Sequence, residues 1–295
     1  MTHLSRITAA LSGALWCLGG YAAEAPLNLC TGGSESSFFE VGRAVAQHAN
    51  PRYLAVTVAE TSGSVDNMQR MSRGECGAAI VQNDAYLVYQ SRHKDRPVEV
   101  TRNRFLYAEF THLVCRRDAK VSSTADLVAN PGRHKILVGA EESGSAITWH
   151  AFTLLDRRYG ELDTNKVGGE EALSRVLNGD AQCLFFVAAL GSDYAENVNR
   201  QGTDLRLVPI TDDAFRSARF GAQTLYEMRR FPAGVYGNLD AGLAESDVET
   251  LSVGTALVID RHWAEKYPNG PAALLGAVTG ATPTIDQRAT GGKIK

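Results

Sequence analysis

Leu27-Asn28-Leu29-Cys30-Thr31-Gly32-Gly33-Ser34-Glu35-Ser36-Ser37-Phe38-Phe39 joins a short apolar run to a glycine- and serine-rich turn, and then to residues that suit a helix. The spacing predicts an extended Leu27–Cys30, a helix from about Ser36 to Ala49, and a β-rich Tyr53–Glu60. A second helix follows from about Ser64 to Arg73, with Val65, Met68 and Met71 at helical spacing and Gly74 as its stop. Gly77–Val81 then reads as a buried strand. This β-α-β-α-β alternation predicts a mainly parallel sheet with helices on both faces.

A long extended stretch, Phe105–Cys115, closes this series, and a similar one begins at Lys135–Gly139. There the loop Gly139–Ser145 leads into a helix from about Ala146 to Arg158, and a second helix, Glu170 to Leu177, stops at Gly179. Phe231–Tyr236 is turn-rich, Leu251–Ile259 is a strand that returns to the first unit, and Arg261–Ala277 is helical. Thr282–Lys295 reads as a loose polar tail. The fold class expected is therefore α/β with two lobes, each a mainly parallel sheet flanked by helices, of the type II-like periplasmic binding kind. Residues 26–112 with 250–295 form lobe 1, and 113–249 form lobe 2. Two crossings between the lobes make a hinge that can close on a ligand.

Residues 1–23 read as a signal peptide: Arg6 precedes the apolar run Ile7–Leu18, and small residues follow at Gly19, Gly20, Ala22 and Ala23. Trp16 before Cys17 speaks against a lipoprotein signal. The apolar run is shorter than a membrane span, so the chain is expected in the periplasm and not embedded in the membrane. The balance of 30 basic and 33 acidic side chains, without blocks of like charge, argues against nucleic acid as a partner. A monomer is expected. Cys30, Cys76, Cys115 and Cys183 remain after the leader, either as two disulfides, with Cys30–Cys76 and Cys115–Cys183 preferred among three pairings, or as buried thiols.

Four loops carry the candidate site. Thr31-Gly32-Gly33 with Ser36, Phe38 and Phe39 forms the first, and Thr61-Ser62-Gly63-Ser64 with Asn67 the second. Gln82 and Asp84 belong to the third, where Asp84 also suits a helix cap. Ser143-Gly144-Ser145 forms the fourth, in the other lobe, and Tyr236 is expected to wall the cleft with Phe38 and Phe39. Glycines admit a ligand to the backbone, and helix starts present unpaired N–H groups to an oxyanion. All four loops follow predicted strands, whose carboxyl ends face the ligand crevice of an open α/β sheet. No cofactor or metal is implied, since neither a phosphate-loop pattern nor a zinc or calcium spacing occurs.

Thr31-Gly32-Gly33 with Phe38-Phe39 and Gly42, Glu60 to Asn67, Val81-Gln82-Asn83-Asp84, Val138 to Ser145 and Pro232 to Tyr236 together resemble the TAXI family, the solute-binding proteins of TRAP transporters. The resemblance implies a receptor that delivers a small anionic metabolite, a glutamate-like amino acid or a dicarboxylate, to TRAP membrane permease subunits. It implies no catalysis. The family often carries tyrosines in place of Phe38 and Phe39, glycine in place of Glu142 and threonine in place of Ser145. The same two-lobed device also serves ABC-type importers and sensor kinases. A periplasmic serine hydrolase using Ser143 or Ser64 is the alternative of another class, although no G-x-S-x-G occurs and the histidines are scattered.

Overall fold

The computed structural model describes residues 25–34, 36–220, 223–239 and 248–289. The leader read over residues 1–23 lies outside the described residues.

The first half runs β1 (Ala25–Cys30), α1 (Ser37–His48), β2 (Leu54–Ala59), α2 (Ser64–Ser72), β3 (Ala78–Gln82), α3 (Ala85–Arg92) and into β4 (Val100–Arg116). α1 forms where expected because the Ser36 Oγ accepts the Phe39 N–H at its start, and Val41, Ala44 and Val45 fall on one buried face. α2 buries Val65, Met68 and Met71 in the same manner. The second half contains α4 (Thr124–Ala129), β5 (Ile136–Leu137), α5 (Gly144–Leu155), β6 (Thr164–Asn165), α6 (Gly169–Leu177), β7 (Cys183–Ala188), α7 (Asp193–Gln201), β8 (Leu205–Leu207) and α8 (Asp213–Arg216). The short pair β9 (Arg219–Phe220) and β10 (Gln223–Thr224) follows, then β11 (Tyr226–Phe231) and β12 (Val248–Asp260), which returns to the first half. α9 (Arg261–Lys266), α10 (Gly270–Gly280) and α11 (Thr282–Ala289) complete the described chain.

One ten-stranded sheet runs β2-β1-β3-β12-β4-β7-β5-β6, with β11 beside β12 and β8 beside β4. The parallel ladders lie towards its two edges: β1 pairs with β2 and β3, and β5 with β6 and β7. The long strands β4 and β12 cross between the halves and pair antiparallel with each other. β12 lies beside β11 over Val248–Val253 and beside β3 over Thr255–Ile259, so it changes neighbour where the halves meet. A register shift between Thr255 and Ala256, opposite Tyr107 and Phe105, falls at this point. Such an irregularity bends a strand locally, here where the two long strands pass from one half to the other.

Each half buries side chains on both faces of its part of the sheet. In the first, Leu27, Leu29, Val41, Val45, Leu257, Ile259 and Trp263 fill one face, and Val65, Met68, Val81 and Val258 fill the other. Trp149, Phe152, Tyr159, Phe185 and Phe215 fill one face in the second, and Leu137, Leu173, Val176, Leu184 and Leu207 the other. Cys30–Cys76 and Cys115–Cys183 are disulfides, each within one half, as preferred from the sequence. Their sequence separations of 46 and 68 residues each correspond to about 4 kcal/mol of loop-closure entropy.

Two expectations are corrected. Thr282–Ala289 is a helix, not a loose tail: Pro283 fits a helix's first turn, and Ile285 is buried against the first half while the helix packs on α1 and β4. The helix expected over Ala146–Arg158 runs from Gly144 to Leu155, because Asp156 leaves the helical conformation and its carboxylate takes the Arg158 N–H to begin a separate 3-10 turn. Among the described residues no helix is long and apolar enough to cross a membrane.

Candidate functional site

The loops after β1, β2, β3, β5 and β7 converge on a cleft of about 500 Å³ between the halves, within the range that encloses small metabolites. Ten residues singled out in the sequence line it: Gly32, Gly33, Ser36, Phe38, Gly63, Ser64, Gln82, Ser143, Gly144 and Ser145. Four helices, α1, α2, α5 and α7, begin at its rim, so their first N–H groups contribute partial positive charge from both halves. The halves touch closely here. A Cβ on Gly144 would stand 2.3 Å from the Gln82 Oε1, and Gly63, at φ +123°, faces the Glu142 carbonyl of the opposite half.

Five seryl hydroxyls of this cleft share one hydrogen-bonding state. Ser36 Oγ accepts Phe39 N–H (3.2 Å), Ser64 Oγ accepts Gln82 N–H (3.0 Å), and Ser143 Oγ accepts Ala146 N–H (3.2 Å). Ser145 Oγ accepts Val187 N–H (3.0 Å) and Ser192 Oγ accepts Ala195 N–H (3.3 Å). A hydroxyl that accepts still has its own proton to give. None of these five protons has an acceptor among the described residues, and the buried Gln82 Nε2 also lacks a partner. The cleft therefore presents fixed donors from both halves, an arrangement suited to an oxyanion.

Charged groups are few and differ in their pairing. Glu142 sits in the left-handed region at φ +60°, a conformation that costs a non-glycine residue about 1 kcal/mol, and its carboxylate pairs with Arg92 of the first half at 3.1 Å. Asp193 is exposed in the first turn of α7, where the helix start favours it. Arg288 of α11 bonds Glu40 at 2.5 Å, while its buried Nε has no partner. Glu109 of β4 opens part of its surface to the cleft yet lies deep among protein atoms, and burial alone pushes its carboxyl up to about 7.

Six singled-out residues do not line the cleft. Thr31, Thr61 and Asn67 form an internal lock: Asn67 Nδ2 donates to the Thr31 carbonyl (2.6 Å) and the Ile80 carbonyl (2.7 Å), and Thr61 Oγ1 donates to Asn67 Oδ1 (2.6 Å). This lock holds the β1 loop against α2 and β3. Phe39 is partly buried outside the lining, while Phe38 reaches it. Tyr236 is fully buried in the second half, where its hydroxyl donates to His112 Nε2 (3.1 Å), since His112 Nδ1 must donate to the Phe110 carbonyl. Burial keeps that histidine neutral, down to about 3.

Asp84 occupies the N-cap position just before α3, but its side chain makes no capping hydrogen bond. Its Oδ2 instead accepts from Thr148 Oγ1 (2.7 Å) and Tyr226 Oη (3.0 Å), both of the second half, and burial raises its carboxyl to about 6. Glu109, Arg288, Ser192 and Asp193 belong to the lining and were not singled out in the sequence. For α7 a signal existed, because Gly191-Ser192 directly follows the apolar run Cys183–Leu190. Among the described residues neither Ser64 nor Ser143 bonds a His, Asp or Glu side chain, and no histidine lines the cleft.

Residues 29–267 match the model of the NMT1-like family. In fold the chain is similar to a protein of Bordetella bronchiseptica RB50, at 15% identity and TM-score 0.51 over 87% of this chain and 70% of that one. It is similar to the periplasmic aliphatic sulphonate binding protein SsuA from Escherichia coli, at 12% identity and TM-score 0.50 over 89% and 69%. The GluR0 ligand-binding core in complex with L-glutamate matches at 11% identity and TM-score 0.50 over 90% and 98%. The shared property is the α/β fold of type II-like periplasmic solute-binding proteins.

Proposed function

The chain belongs to the NMT1-like family, and from that premise we propose that it is the periplasmic receptor of an importer, which closes on a small anionic solute and presents it to membrane permease subunits. The observation that carries this reading is the set of five seryl protons without acceptors, contributed by both halves to one cleft. An anion that satisfies donors on both sides binds the closed form better than the open one, and that difference is the signal a permease can read. The lobes 26–112 with 250–295, and 113–249, would move as bodies about the bend in β4 and β12. No catalytic step is assigned. The leader and the two disulfides support export to an oxidising compartment.

An ABC-type importer is the favoured partner, because the family match is to the NMT1-like group and the fold is shared with a sulphonate receptor. The motif series from Thr31 to Tyr236 favours a TRAP permease as the second reading. A neighbouring ATPase gene supports the first and a large multi-span permease gene the second.

A thermal-shift panel of carboxylates and sulfonates tests the receptor reading: at least one should raise the melting temperature in proportion to log concentration. Gly144→Ala should reduce that shift, because a Cβ there would push the Gln82 side chain from its place in the cleft. A flat response to the whole panel rejects the reading.

A further inference from the structure

Glu109 is the cleft residue that an anion leaves unexplained. It stands on β4 beside the bend, opposite Val253 of β12, and next to Phe110, whose partner is Ala188 of β7. Val187 and Ala188 line the same cleft, so Glu109 belongs to its floor where the halves join. The other acids of the cleft are provided for: Glu142 has Arg92, and Asp193 has solvent and the start of α7. Glu109 has no hydrogen-bond or ion-pair partner among the described residues, and no cation is near enough to offset its burial. Arg288, the cleft's basic group, is held by Glu40 instead.

A carboxylate placed on the floor of a closing cleft without a partner opposes closure unless the ligand brings one. The neighbouring donors meanwhile require an acceptor. Resting on the receptor reading above, we propose that the solute is a zwitterion, with an ammonium group that pairs with Glu109 and a carboxylate or sulfonate that sits on the seryl hydroxyls and helix starts. Glu109 is then the residue that sets the choice between amino acids or aminosulfonates and plain dianions of the same shape.

Calorimetric titration with matched pairs decides it: L-glutamate against glutarate, 4-aminobutyrate against butyrate, and taurine against ethanesulfonate. Each pair differs chiefly in the amine, and the carboxylate and sulfonate pairs separate the two anion sources. The amine-bearing member of at least one pair should bind roughly tenfold or more tightly, as a charge-assisted hydrogen bond requires. In Glu109→Gln that preference should fall to within about twofold while the melting temperature of the free protein holds. Equal or tighter binding of the amine-free members overturns the zwitterion and leaves the receptor reading standing. Binding of no anion by the wild-type protein, with or without an amine, overturns both. The paired comparison on the unaltered protein needs no variant to fold.

Discussion

Hydroxyl donors converge at two of the places where the halves meet. At the Asp84 clasp, Thr148 and Tyr226 of the second half donate to a carboxylate of the first, and the group is fully buried. In the cleft, seryl donors from both halves have no acceptor among the described residues and the space between them is open. The clasp thus shows, with one oxygen of the protein's own carboxylate, hydroxyl donors holding an acid without a cation. It also shows the consequence: without a cation, burial raises the Asp84 carboxyl to about 6. Clasp and cleft differ in what supplies the anion, and therefore in whether the contact is permanent or depends on a solute.

If the clasp is permanent, breaking it should be felt in stability and not in selectivity. Asp84→Ala leaves the Thr148 and Tyr226 hydroxyls buried without an acceptor and opens a small void beside Ile147 and Val81. At pH 5, where the carboxyl is largely neutral and no charge is relieved, urea denaturation should show a loss of about 4 kcal/mol. A loss below about 1 kcal/mol would mean the halves do not depend on this contact.

The clasp also carries a pH signature that the cleft hydroxyls lack. Asp84 has its folded value raised from 3.8 to about 6, so the folded state holds the proton more tightly than the unfolded chain. Its contribution is fully present below about pH 4 and is lost as pH rises through about 6, a change on the order of 3 kcal/mol. Glu109 is shifted in the same direction, to about 7, so the difference between wild type and Asp84→Asn isolates the clasp. Wild type should lose stability relative to Asp84→Asn between pH 4.5 and 7. Parallel pH curves would remove Asp84 from the account.

How much of this was legible in the sequence follows the same division. Glycine and hydroxyl runs after apolar strands mark loops at strand ends, and local chemistry decides them; the lining by Gly32, Gly33 and Ser36, by Gly63-Ser64 and by Ser143 to Ser145 was therefore readable. The clasp was not, because Asp84 suits a helix cap equally well, and only the packing of α5 and β11 redirects its side chain. Glu109 lies inside Phe105–Cys115 with nothing local to distinguish it, and only the pairing of β4 with β12 brings it to the floor of the cleft. Tyr236 differs for the converse reason: it was expected on the cleft wall, but a partner 124 residues away, His112, holds it in the core of the second half. Side chains whose role is set by pairing across the sheet leave no local trace.

The smallest effect, and the one that separates the two contacts most cleanly, comes from single hydroxyls. Ser143 caps α5 and, in the receptor reading, gives its proton to the solute. Ser143→Ala removes both functions, about 1 kcal/mol each, and so confounds them. Ser143→Gly keeps a residue tolerated at that cap position, so the melting temperature should barely move while affinity for the best-bound anion falls about three- to tenfold. Thr148→Val at the clasp should behave in the opposite way, losing about 1 kcal/mol of stability because Asp84 forfeits a donor, with affinity unchanged. Should Thr148→Val weaken the solute and Ser143→Gly leave it untouched, the donors that matter to the anion would lie at the clasp, and the division between a permanent and a solute-dependent contact would be wrong.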